Sequence, residues 1–241
     1  MITSDKNTEN WFGDWANEYD SSLGKVKRHH KLLDLVVQSS SVKKNDCVLD
    51  LGCGTGLLSL KFLKKADCLI QAVDSSSEML EVFKGKIKKL DLSKNITCKL
   101  EKAERLTFKE NSFDIIASTV TLHHVKNKYP VIRKINRLLK PGGRFVLGDI
   151  DMDTTGRLTD PKRLIRIMDY LKEEYTLAIQ EGGIKAFSRM YDNGKKHILN
   201  DGEYCIHFNQ WKELCQRAKF KKIIIKPLLG FEWFKVLVAI K

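Results

Sequence analysis

Val48-Leu49-Asp50-Leu51-Gly52-Cys53-Gly54-Thr55-Gly56 is the stretch whose reading decides the fold. A short apolar run, Cys47–Leu51, ends in three alternate glycines and passes into the helical pattern Leu57–Lys65. Glycine lets the chain turn sharply and lets a ligand approach the backbone where a Cβ would stand. In an open α/β sheet, ligands bind beyond the carboxyl ends of the strands, which is where this loop falls. A dinucleotide fingerprint needs G-x-G-x-x-G, but here the third glycine arrives one residue early. That spacing argues against a pyrophosphate seated on the helix N-terminus.

The same rhythm continues outward. Leu69–Val73 is a second short run, closed by Asp74 and followed by a helical stretch, Ser77–Lys89. Ile96–Leu100, Phe113–Thr119 and Arg144–Ile150 are further strands, and Asn127–Leu139 is a helix stopped by Lys140-Pro141-Gly142-Gly143. Apolar runs alternating with helices imply a parallel sheet covered on both faces. Trp11, Phe12, Trp15, Ala16 and Tyr19 recur at helical spacing before the sheet, as do Leu32, Leu33, Leu35, Val36 and Val37. Helical patterns at Leu164–Ile179 and Ile184–Tyr191, broken by Gly182-Gly183, interrupt the rhythm late. A helix at Ile206–Ala218 and strands at Lys222–Ile225 and Phe234–Ile240 close the chain as a hairpin. The expectation is one α/β domain with N-terminal helices (1–45), a ligand-binding core (46–150), a helical insertion after the fifth strand (151–205) that acts as a lid over the site and excludes water, and a final helix with hairpin (206–241).

At 241 residues, 42% hydrophobic and 30% charged, the chain can bury a sizeable core. No run reaches the roughly 18–20 apolar residues of a membrane span, and the N-terminus lacks the profile of a secretory signal. Six cysteines without a CxxC pair or zinc-like spacing fit a reduced, cytoplasmic setting and no metal centre. The formal charge is +13, from 33 lysines and ten arginines against 30 acids. Nucleic acid is therefore a partner to weigh. Arginine is the usual residue for bidentate phosphate and guanine recognition, so the lysine bias disfavours sequence reading.

The glycine loop resembles motif I of class I S-adenosylmethionine-dependent methyltransferases, and the chain is similar to the ubiquinone/menaquinone-biosynthesis-like, type 11 group. Supporting motifs are Lys102-Ala103-Glu104, the Phe113–Val125 strand and loop FDIIASTVTLHHV, and LKPGGRFVLGD. The resemblance implies a Rossmann-like, doubly wound, seven-stranded, mostly parallel sheet with a C-terminal antiparallel hairpin. It implies that Asp74, 18 residues after Gly56, accepts from both ribose hydroxyls, and that Ala103 and Glu104 lie near the adenine. Lys102 stands where the family carries Asp. Asp50 and the carbonyls of Gly52 and Thr119 would accept from the cofactor's ammonium, with Tyr19 near the methionine end. Cys53, Gly54, Gly56, Ser75 and Met79 complete the implied cofactor set. Methyl transfer is an in-line displacement, so positioning and desolvation do most of the work and no metal is required.

An acceptor that loses a proton calls for a base, and His123-His124 is the histidine pair that the pattern puts at the mouth of the sheet. His29-His30 lies in a basic stretch and is expected at the surface. Tyr191, His197 and Tyr204 could line a pocket, though packing or surface roles suit them as well. The fourth strand ends in Ser118-Thr119-Val120-Thr121, not in the Asn/Asp-Pro-Pro-Tyr/Phe of base-amine methyltransferases, and no Pro-Cys pair offers a C5-attacking thiol. These absences favour a small-molecule acceptor. An RNA-borne side chain and a non-catalytic cofactor-binding module are the alternatives.

Overall fold

The computed structural model describes residues 16–21, 23–198 and 203–241. Trp11, Phe12 and Trp15 lie outside them, and so does the side chain of His197. Among the described residues seven strands form one sheet: β1 (Cys47–Leu51), β2 (Leu69–Asp74), β3 (Ile96–Leu100), β4 (Phe113–Thr119), β5 (Leu139–Ile150), β6 (Lys222–Leu228) and β7 (Phe231–Ile240). Their spatial order is β3-β2-β1-β4-β5-β7-β6. The first five run parallel, and β7 enters antiparallel between β5 and β6. The order reverses at β1/β4, which opens a crevice above the carboxyl ends of those strands.

Among the described residues the sheet is covered by α1 (Lys27–Ser40), α2 (Leu57–Lys65), α3 (Ser77–Lys89), α4 (Lys128–Leu138), α5 (Pro161–Asn193) and α6 (Phe208–Arg217). Their apolar stripes divide the core into two layers. On one face Leu32, Val36, Phe62 and Phe83 pack from α1, α2 and α3; on the other Ile132, Ile135, Phe208 and Trp211 pack from α4 and α6. Ser76 caps α3 by accepting from Met79 N–H at 3.1 Å, and Asp160 with Pro161 starts α5. Among the described residues no helix is long and apolar enough to cross a membrane.

β5 begins earlier than Pro141-Gly142-Gly143 suggests. Leu139 already pairs with Phe113, the chain bulges with Gly142 at φ 78°, and the ladder resumes at Arg144 opposite Ile115. α5 is two helical arms meeting at Gly183, whose φ of 68° breaks the helix where the glycine pair suggested. Its inner face belongs to the core: Ile167, Tyr170 and Leu171 are buried, whereas Ile165 and Met168 are exposed. A buried ion pair, Arg28 Nη2 to Glu174 Oε2 at 2.5 Å, locks α5 to α1. Buried Arg163 ties the ends of the insertion together by donating to the carbonyls of Thr154 and Ile198.

Candidate active site

A cavity of about 210 Å³ opens over the carboxyl ends of β1, β2 and β4. The glycine loop forms its floor. Gly52, Gly54 and Gly56 all have positive φ, at 76°, 51° and 88°, so the loop alternates through the left-handed region. The N–H groups of Gly52 and Cys53 both donate to Val73 O, at 2.8 and 3.0 Å. Asp74 completes the cradle: its Oδ2 accepts from Gly54 N–H at 2.7 Å and its Oδ1 from Ser76 N–H at 2.9 Å. Burial still leaves its pKa above the ordinary carboxylate value, against those hydrogen bonds. A carboxylate in this position has lone pairs left for a ligand's hydroxyl groups.

Of the residues expected to hold a cofactor, Tyr19, Gly52, Cys53, Gly54, Asp74, Ser75, Met79, Ala103, Glu104 and Thr119 line this one cavity. A Cβ built on Gly54 meets nothing within 4 Å, so the loop presents open space there, as a ligand-bearing cradle requires. Gly56 and Asp50 are not among the lining residues. A Cβ on Gly56 would fall 2.0 Å from the Phe83 ring, so its missing side chain serves the packing of α3 on the loop. Asp50 is buried beneath the loop. Its Oδ2 accepts from Ser59 Oγ at 2.6 Å, its Oδ1 has no hydrogen-bond partner, and burial raises its pKa to about 7.

The structure also corrects the reading of His29 as a surface residue. It is buried, lines the cavity and meets the Tyr19 ring edge-on at 6.0 Å. Burial, then the neighbouring Arg28 charge, drives its pKa down to about 3, so it stays neutral. Burial likewise pushes Tyr19 up to about 12. The N-terminal turn is fastened over the loop through Asp20, which accepts from Thr55 Oγ1 at 2.6 Å and pairs with Lys86. Periodicity carries no signal for such a long-range polar clasp.

Thr121 is a lining residue that sequence reasoning missed. Its hydroxyl lies 2.9 Å from the carbonyl of Thr119 and 3.3 Å from that of Gly52, the two acceptors expected to meet an ammonium. Between them Val120 adopts φ 48°, a genuine outlier for a β-branched residue. The histidine pair is split. His124 lines the cavity, while His123 is buried behind it, its Nδ1 2.6 Å from Asp149 Oδ1 and its Nε2 3.9 Å from Glu203 Oε1. Tyr204 also reaches the cavity; Tyr191 does not, and stacks on Phe187 instead.

Residues 49–147 match the family model described as a methyltransferase domain of the type 11 family. The chain is 29% identical to a 27-O-demethylrifamycin SV methyltransferase of Amycolatopsis mediterranei, over 49% of this chain and 44% of that one. It is 40% identical to a ubiquinone/menaquinone biosynthesis C-methyltransferase of Pseudoalteromonas translucida, over 46% and 45%. The matched region thus spans somewhat less than half of these two relatives. An S-adenosylmethionine-dependent methyltransferase of Aquifex aeolicus shares the fold at a TM-score of 0.57 and 16% identity, over 86% of this chain and 88% of that chain. A phosphoethanolamine N-methyltransferase of Haemonchus contortus, solved with S-adenosyl-L-methionine, does so at 0.62 and 15%, over 95% and 60%.

Proposed function

We propose that the protein, whose residues 49–147 match a methyltransferase domain model of the type 11 family and whose fold is shared by S-adenosylmethionine-dependent methyltransferases, transfers a methyl group from S-adenosylmethionine to a small-molecule acceptor. One observation carries the reading. Asp74, the open face of Gly54, the Thr119 end of β4 and the Ala103-Glu104 turn converge on a single cavity from four separate segments of the chain.

In this reading Asp74 holds the ribose, and Ser75 and Met79 flank it. Ala103 and Glu104 border the adenine. The carbonyls of Gly52 and Thr119 receive the ammonium, and Thr121 sets their positions. Asp50 works from beneath the loop, as a buried negative charge that complements the cationic donor. Tyr19 and His29, both neutral, wall the methionine end and exclude water, which strengthens electrostatics within the site. His124 is the group on the cavity wall placed to take a proton from an acceptor, and His123, held by Asp149, positions it. A lid role for the insertion falls to the part after Gly183, because the arm before Gly183 is built into the core and Tyr204 is held through its backbone to His123 and Lys128.

Calorimetry with S-adenosylhomocysteine and NAD tests the cofactor: binding of the first and not the second is expected, and the reverse overturns the reading. Transfer of labelled methyl from the donor into a fractionated metabolite extract tests the acceptor and excludes a non-catalytic module. An RNA-borne acceptor is the second reading, favoured by the +13 charge. It requires transfer to bulk tRNA and binding that falls steeply with salt.

A further inference from the structure

We propose that His123, His124 and Glu203 form a binding site for one divalent cation of the zinc and cobalt class, in the wall of the cavity. Their ligand atoms all lie within 4.8 Å of one another, although Glu203 is 79 residues beyond His124 in the chain. Spacing along the sequence therefore points to no metal centre, and only the return of the insertion onto the short turn Leu122–His124 after β4 assembles one.

The second sphere argues for a ligand site. Asp149, fully buried at the end of β5, sits 2.6 Å from His123 Nδ1 and also accepts from Ile150 N–H. A carboxylate on Nδ1 fixes the proton there and leaves the Nε2 lone pair pointing away from it, as in carboxylate–histidine–metal triads. Nε2 is the atom that faces Glu203, at 3.9 Å. Drawing two ligands 3.9 Å apart onto one ion at about 2.0–2.2 Å each needs only a small contraction.

Glu203 is held by backbone, so its place does not depend on a free loop. Thr154 Oγ1 donates to Glu203 O at 2.9 Å and accepts from Cys205 N–H at 3.0 Å, while Tyr204 N–H donates to His123 O at 2.8 Å. The charge balance also suits a cation. Asp149 and Glu203 bring two carboxylates into a buried cluster, and Lys128, whose ammonium donates to the carbonyls of Val125 and Tyr204, returns one positive charge. Two imidazoles and a carboxylate form a ligand set suited to zinc, with a fourth position open toward the cavity that His124 lines. A proton on His123 would neutralise the same cluster, and it is the competing state.

Binding stands apart from the methyltransferase reading; only a use for the ion, holding an acceptor oxygen beside the donor methyl in place of proton removal by His124, whose lone pair the ion would occupy, rests on it. The test is a titration of the full chain with Co2+ followed by visible absorption, with Zn2+ as competitor. One equivalent should give the intense d–d bands of a four- or five-coordinate site, displaced by Zn2+. Glu203→Gln and His124→Gln should each weaken binding at least tenfold, and Asp149→Asn about 10–100-fold. S-adenosylhomocysteine binding by each variant reports that it is folded, and its absence in the wild type would count against the methyltransferase reading alone. His124 is only half-buried, so its variant serves if Glu203→Gln does not fold. A spectrum no different from aqueous Co2+, or bands that persist in both ligand variants because cysteines supply them, would overturn the site.

Discussion

Gly54 and Gly56 stand two residues apart in one motif, and the structure gives them opposite tasks. Replacing either by alanine forces a side chain into the left-handed region, at φ 51° and 88° respectively, which costs about 1–2 kcal/mol. At Gly54 the new methyl group meets nothing within 4 Å, so strain is the whole cost. At Gly56 it falls 2.0 Å from Cε2 and 2.2 Å from Cδ2 of Phe83, a ring with no exposed surface. Overpacking adds about 1–3 kcal/mol there, for a total of about 2–5 kcal/mol. Guanidinium unfolding should thus show Gly56→Ala clearly less stable than Gly54→Ala with an unchanged m-value. Calorimetry with S-adenosylhomocysteine should show the converse. The methyl at position 54 projects into cavity space and should cost at least tenfold in affinity, about 1.4 kcal/mol; valine there should abolish binding in a folded protein. Folded Gly56→Ala should bind within a few-fold of wild type. Equal destabilisation by the two alanines, or wild-type affinity in Gly54→Ala, would refute this division of roles.

Asp74→Ala should weaken cofactor binding by about 1.5–3 kcal/mol, the range for hydrogen bonds to a charged group; it also strips Gly54 N–H of its acceptor, and an unchanged dissociation constant would mean the ribose is held elsewhere. Glu174→Ala leaves the Arg28 guanidinium buried without its partner and should cost about 3–5 kcal/mol, so a urea-unfolding loss below about 1 kcal/mol would contradict it. Asp50 titrates near 7 when folded against 3.8 for an unperturbed group. A raised carboxyl pKa gives stability that is complete below about pH 4 and lost as the pH rises through about 7. The cofactor-free protein should therefore weaken between about pH 4 and 7, by on the order of 4 kcal/mol in all, and Asp50→Asn should flatten that slope; parallel melting-temperature profiles would exclude Asp50 as its source. For the insertion, hydrogen exchange should slow on binding of cofactor and acceptor after Gly183, with little change in the arm before Gly183. Uniform protection of both arms without ligand would remove the lid.

The alternation of apolar runs and helical stripes in the chain determined the sheet, its helices and the closing hairpin, because burial on both faces demands continuous hydrophobic strands. The glycine loop and Asp74 were equally legible, since turn chemistry and strand ends are local properties. Other features depend on segments far apart in sequence. Periodicity places Gly56 in the loop, but only the packed Phe83 ring shows what its missing side chain is for. His29 sits among basic residues and reads as surface, yet the Tyr19 turn folds over it and leaves it neutral in the cavity wall. His123 and His124 are adjacent in the chain and part company in space, because the turn after β4 directs one ring to Asp149 and the other to the cavity. Asp149, Glu203 and Tyr204 join them only through tertiary contacts across 25 to 81 residues of chain. Local sequence encodes φ, ψ and burial period; which polar groups share one dielectric pocket is decided by packing.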